Sequence, residues 1–124
     1  MTKTLTLLTA ISAFTAVAMG AFGAHGLKSK IPADLMVVYQ TAVDYHMWHA
    51  LGLGLLAGFA LHTPDSALLR WAGWFMLAGI VLFSGSLYVL AISGIKGLGA
   101  ITPFGGLAFL IAWGLFATYA VKSL

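Results

Sequence analysis

The stretch Asp44-Tyr45-His46-Met47-Trp48-His49 brings a carboxylate, a phenol and two imidazoles together in a chain with few other groups able to do chemistry. On a helix, His46 and His49 are three positions and about 60° apart, so they share a face, and Tyr45 lies about 40° from His49. Asp44 falls about 160° from His46, in line with Gln40 and Trp48. Two imidazoles at this spacing are half of a zinc or copper site, which His25 and either Asp44 or a water would complete. With Tyr88, the same groups suit a pathway for a proton or a small ligand, since ionisable groups in apolar surroundings are often functional. His25 and His49 on opposing helices could hold a haem. Against these stands a hydrogen-bond network that only fixes helix register and binds nothing.

The elements that must position these groups are set by composition. Of 124 residues, 61% are apolar and 7% charged, with a mean hydropathy of +1.02, values that belong to a membrane protein and exclude an ordinary soluble domain. Six basic and three acidic residues are scattered singly at segment ends, which excludes a nucleic-acid partner. The absence of cysteine excludes disulfides, thiolate metal sites and covalent haem attachment.

A hydrocarbon core of roughly 30 Å takes about 20 apolar residues to cross, and four stretches supply them. The expected fold is all-α, a single-domain four-helix transmembrane bundle over residues 1–124, with spans at about 5–24, 43–61, 68–92 and 103–121 and short loops between them. The run 33–42 is polar but lacks a breaker, so it reads as an interfacial turn or two leading into the second span. Thr63-Pro64 and Thr102-Pro103 read as helix starts, and the three glycines of 93–100 mark the third loop. Lys3 followed by an apolar run also has the look of a signal peptide, but the run is longer than a usual signal core, so an uncleaved first helix is expected.

Ser12, Ala16, Gly20 and Ala24 recur every fourth residue and draw a small-residue stripe along the first helix; Gly54 and Gly58 form a second such pair. Both are read as helix-packing positions, chiefly within the bundle. Alternating helices bring His25, Asp44, Tyr45, His46, His49, Ser84, Tyr88 and Thr102 toward one leaflet, and these are the candidate ligand-binding residues. Of them, His25, His46 and His49 are the candidate metal ligands. Ser84 and Tyr88, four apart, share a face, and the N-terminus of the last helix at Thr102–Gly106 offers free N–H groups.

Four blocks carry a resemblance: GAFGAHGL (20–27), TAVDYHMWHALGL (41–53), FSGSLYVLAISG (83–94) and LGAITPFGG (98–106) with Trp113 to follow. In order and over nearly the whole chain, they resemble the signature blocks of the domain-of-unknown-function-423 family, whose animal relatives are called transmembrane protein 256. The resemblance implies a small, mostly bacterial inner-membrane protein of four helices without an established biochemical role, and it supplies no catalytic assignment. The family pattern admits other polar residues at the position of His46, which counts against that residue as an indispensable metal ligand.

No nucleophile and base stand at readable spacing and no cofactor motif is present, so an enzyme is not expected and the cofactor is unknown. Two classes remain. One is a membrane protein that binds or passes a small ligand or ion, proton or metal, at the His/Tyr/Ser cluster. The other is a non-catalytic accessory or assembly subunit of a larger membrane complex. The expected partners are the lipid bilayer and either further copies of the chain or that complex. Lys3, Arg70 and Lys122 on one side balance Lys28, Lys30 and Lys96 on the other, so the positive-inside rule gives no orientation; the free N-terminal amine tips the expectation toward cytoplasmic termini.

Overall fold

The computed structural model describes all 124 residues and contains helices and turns without a strand. Helix α1, Thr2–Phe22, is continued by a π-helical turn, Gly23–Leu27. Helix α2 runs from Ala33 to Ala60. Helices α3, Ala67–Gly79, and α4, Gly85–Ser93, form one rod through a second π-helical turn, Ile80–Ser84. A 3-10 turn, Lys96–Ala100, leads to α5, Thr102–Ser123.

By length and composition, three of the four rods could cross a membrane: Thr2–Leu27, Ala67–Ser93 and Lys96–Ser123. The fourth rod, α2, is 28 residues long but carries Asp34, Gln40, Asp44, Tyr45, His46 and His49, and this polar content dilutes its apolar character. Around the rods, Phe14, Leu110 and Val121 are 76%, 71% and 84% exposed. So much bare apolar surface suits lipid rather than water.

The rods run up and down in chain order. The Thr2 hydroxyl donates to the Ala60 carbonyl at 3.2 Å, which sets the start of α1 beside the end of α2. The Ser84 hydroxyl donates to the Ala42 carbonyl at 2.8 Å, pairing the second π turn with the upper part of α2. Helix α1 packs mainly on α2 and α5 mainly on α3, with the α3–α4 rod against α2 between them. One apolar core, including Leu53, Leu56, Leu69, Met76 and Phe109, fills the end where the termini lie. A smaller one, Leu27, Tyr39, Ala42, Tyr88 and Ala91, fills the opposite end. His46 and His49 lie on α2 between Ala42 of the small core and Leu53 of the large one.

Several boundaries differ from expectation for local reasons. The cap of α3 is Ser66, whose side chain accepts from the Leu69 N–H at 3.3 Å. Thr63 is engaged elsewhere, donating to the Phe59 carbonyl and bonding the Tyr119 hydroxyl at 2.7 Å. Residues 33–42 belong to α2 outright, and Tyr39 and Ala42 are fully buried. Gly94 ends α4 at φ +76°, a conformation open to glycine and costly for most other residues. At Gly105 a methyl group would collide with the Phe83 backbone nitrogen and lie 2.7 Å from its Cα, so α5 meets the second π turn almost backbone to backbone.

The small-residue positions divide. Ser12 and Ala16 are buried; methyl groups on Gly20 and Gly54 would lie 3.4 Å from Val43 and 3.2 Å from Thr9. Ala24 is exposed and Gly58 has no neighbour within 4 Å of its would-be methyl, so neither is a packing position within the chain. A spacing of four drifts about 40° per step on a helix of 3.6 residues per turn. After three steps Ala24 has left the contact face, and Gly23 and Leu27 are buried there instead.

Candidate functional site

His46 and His49 point into the bundle and are each 5% exposed. The face they share is turned toward three other rods, and each imidazole meets a different pair of partners. His46 reaches α4 on one side, where its Nδ1 and the Tyr88 hydroxyl are 2.8 Å apart. On the other side its Nε2 lies 3.1 Å from the Thr15 hydroxyl of α1. Thr15 donates back to its own helix, with the Ile11 and Ser12 carbonyls both at 3.0 Å. The Tyr88 ring is tilted against Tyr39 at 5.2 Å between centroids, and the Tyr39 hydroxyl donates to the Met19 carbonyl.

His49 is held differently. Its Nδ1 lies 2.8 Å from the Tyr45 carbonyl oxygen, one turn back on α2. Its Nε2 accepts the indole N–H of Trp113 from α5 at 3.0 Å. The ring stacks on Phe109 with centroids 3.5 Å apart. Tyr45, also against Phe83 at 4.5 Å, completes an aromatic layer. An open groove of about 570 Å³ runs along this layer, lined among others by Tyr45, His49, Phe83 and Trp113.

Farther along, the Ser86 and Thr102 hydroxyls are 2.6 Å apart and tie the first turn of α5 to α4. Ser84 is fully buried and spent on the Ala42 carbonyl. It therefore does not reach the histidines. No buried side-chain nitrogen or oxygen in the chain lacks a hydrogen-bond partner. That completeness is what apolar surroundings require, since an unpaired buried polar group costs about 1–3 kcal/mol.

Besides Ser84 and Thr102, two further members of the expected cluster stand apart. His25 lies on the first π turn and is exposed, and no three His or Asp side chains come together as a metal-ligand set. The expected triad His25, His46 and His49 is thus not assembled. His25 and Ala24 share the turn that carries the chain out of the contact face. Asp44 is exposed, on the far side of α2 from His46 as its 160° offset requires, and lines a second groove with Lys28 and Gln40.

Thr15 was not legible as a partner. It is one of several hydroxyl residues on α1, and nothing in sequence marks the one that faces His46. Trp113 reads in sequence as an interfacial or packing aromatic, and only its opposition to His49 turns its N–H to use.

The comparisons with known proteins point to a membrane protein without adding a reaction. The family described as "Protein of unknown function (DUF423)" matches residues 19–106, which include His25, both buried histidines, Ser84, Tyr88 and Thr102. The chain is 52% identical over 122 residues to the UPF0382 membrane protein YwdK of Bacillus subtilis, covering 98% of this chain and 99% of that one. It is 47% identical over 111 residues to the UPF0382 membrane protein SSP2132 of Staphylococcus saprophyticus, at 90% and 91% coverage. It is also 47% identical over 111 residues to SAB0533 of Staphylococcus aureus, at 90% and 89%. These names speak of a membrane protein and indicate no catalytic activity. No solved structure matches the chain. On a family match spanning most of the chain and relatives near half identity over almost their full length, this protein belongs to the DUF423 family of membrane proteins.

Proposed function

We propose that the chain is a non-catalytic protein crossing the bacterial inner membrane four times, with α2 as the fourth span, and that it binds a small ion at the His46–Tyr88 cluster. The ion is the proton. The observation that carries this reading is that both ring nitrogens of His46 meet hydroxyl groups, from Thr15 and Tyr88 on two other helices. A hydroxyl can donate or accept, so the ring can gain a proton on Nδ1 without leaving its place when the Tyr88 hydroxyl turns from donor to acceptor, at the cost of the bond its hydrogen makes while the ring is neutral. A metal fits less well, because it would have to displace these bonds and find further ligands. Four rods of comparable length support the fourth crossing: of the polar side chains of α2, His46 and His49 turn into the bundle, Gln40 and Asp44 line the groove with Lys28, and Asp34 is exposed in the first turn.

Infrared difference spectra recorded on acidifying the reconstituted protein test this. The wild type is expected to give histidine protonation bands coupled to a tyrosine band, both lost in His46→Gln. A wild-type spectrum without the coupled tyrosine change would count against the reading.

A second reading, an accessory or assembly subunit, is favoured by α1. That helix packs mainly on α2 and presents outward a shallow groove of about 560 Å³ formed by Ala10, Ala13, Phe14, Val17 and Ala18. Small residues on such a face let a partner helix approach. Purification in mild detergent separates the two: repeated elution with the same foreign partners favours the subunit, and a self-contained oligomer favours the proton-binding protein.

A further inference from the structure

We infer that the two buried imidazoles hold opposite neutral tautomers, with the proton on Nδ1 of His49 and on Nε2 of His46, and that Trp113 locks His49 in its form. The inference deepens the proton-binding reading, on which it rests for its interest, by dividing the roles of the two rings.

At His49 the assignment follows from partners that work in one direction only. An indole N–H donates and cannot accept; a carbonyl oxygen accepts and cannot donate. With Trp113 donating to Nε2 at 3.0 Å, that nitrogen must carry its lone pair. The proton then sits on Nδ1 and is donated to the Tyr45 carbonyl at 2.8 Å. A second proton would set N–H against N–H and expel Trp113, so His49 stays neutral while α5 stays docked. It is a positioning residue for α5.

At His46 the assignment follows from where each hydrogen can go. The Tyr88 hydroxyl has His46 Nδ1 as its hydrogen-bond partner. If it accepted from that nitrogen, its own hydrogen would be stranded in a buried place. It therefore donates, Nδ1 accepts, and the ring proton is on Nε2. From there it is donated to Thr15, whose hydroxyl hydrogen goes to the Ile11 or Ser12 carbonyl. One tautomer satisfies every group in the chain of bonds. The groups facing His46 are Thr15 and Ser12 on α1 and Tyr88 on α4, with Tyr39 of α2 beside Tyr88. Those facing His49 are Tyr45 on its own helix and Phe109 and Trp113 on α5. No Asp, Lys or Arg is hydrogen-bonded to either ring.

Nitrogen-15 NMR of histidine-labelled protein in lipid bilayers reads the tautomers directly, with resonances assigned by their loss in His46→Gln and His49→Gln. The expected spectrum at neutral pH has one Nδ1-protonated and one Nε2-protonated buried ring, and on acidification the His49 pair does not move. Trp113→Phe, which keeps the ring and removes the donor, should shift His49 to mixed tautomers or an imidazolium. Both rings in the same tautomer, ionisation of His49 alongside His46 in the wild type, or an unchanged His49 signal in Trp113→Phe would overturn the inference. Opposite tautomers with neither ring ionising would uphold it while removing the proton-binding reading, so the two fail separately.

Discussion

The indole N–H of Trp113 donates to Nε2 of His49 at 3.0 Å and ties α5 to α2 along the edge of the polar cluster. The backbones of these two helices are not close-packed on each other, so long side chains make the connection: the Trp113–His49 bond and the stacking of His49 on Phe109. Hydrogen bonds between membrane helices are worth about 0.6 kcal/mol on average and up to about 1.7. Trp113→Phe is expected to lie toward the upper end, because it also strands the His49 acceptor. Unfolding in detergent measures it; stability equal to the wild type would mean that the bond contributes nothing.

The glycines of α5 give a sharper contrast. Gly105→Ala forces a methyl group onto the Phe83 backbone, whereas Gly114→Ala enters open space. Overpacking costs typically about 1–3 kcal/mol, and here backbone meets backbone, so no side chain can swing away. A stability scan should therefore find Gly105→Ala strongly destabilised and Gly114→Ala unchanged or slightly stabilised, as expected from the higher helix propensity of alanine. Equal stability of the two variants would contradict the packing of α5 against the π turn.

Why some of this was readable in advance and some was not follows from range. Runs of apolar residues and the Gly/Pro breaks act locally, so α1, the α3–α4 rod and α5 lie close to the apolar runs read in sequence, whereas α2 starts at Ala33 rather than about 43 because the polar run 33–42 carries no breaker and continues the helix. The shared face of His46 and His49 and the opposite placement of Asp44 are helix geometry, and they follow from spacing alone. The two π turns are different. Ile80–Ser84 carries no glycine or proline to announce it; it is found where Ser84 bonds the Ala42 carbonyl and Gly105 comes against Phe83, contacts 42 and 22 positions apart in sequence. Ala24 reads as part of the contact face because an ideal stripe was extended one turn too far, and His25 reads as part of the cluster because alternating helices fix its leaflet but not the direction in which it faces. Thr15 and Trp113 were missed as hydrogen-bond partners because the identity of a partner across the bundle depends on rotation of the facing helix, which no local pattern encodes.

The four-crossing topology has its own test, helped by a chain without cysteine. Single cysteines placed at Lys30 and Lys96 should be labelled from one side of the membrane, and cysteines at His62 and Leu124 from the other. If position 30 were labelled together with position 62, α2 would not cross, and the rod would lie along the surface instead.

Proton binding at His46 is the central proposal, and counting protons tests it most directly. Purified wild type, His46→Gln and His49→Gln are titrated between about pH 8 and 5, the range in which histidine changes charge, and the uptake per chain is compared. His46→Gln is expected to take up fewer protons than the wild type, by up to one per chain, and folded His49→Gln to take up as many. Equal uptake by wild type and His46→Gln would contradict the proposal.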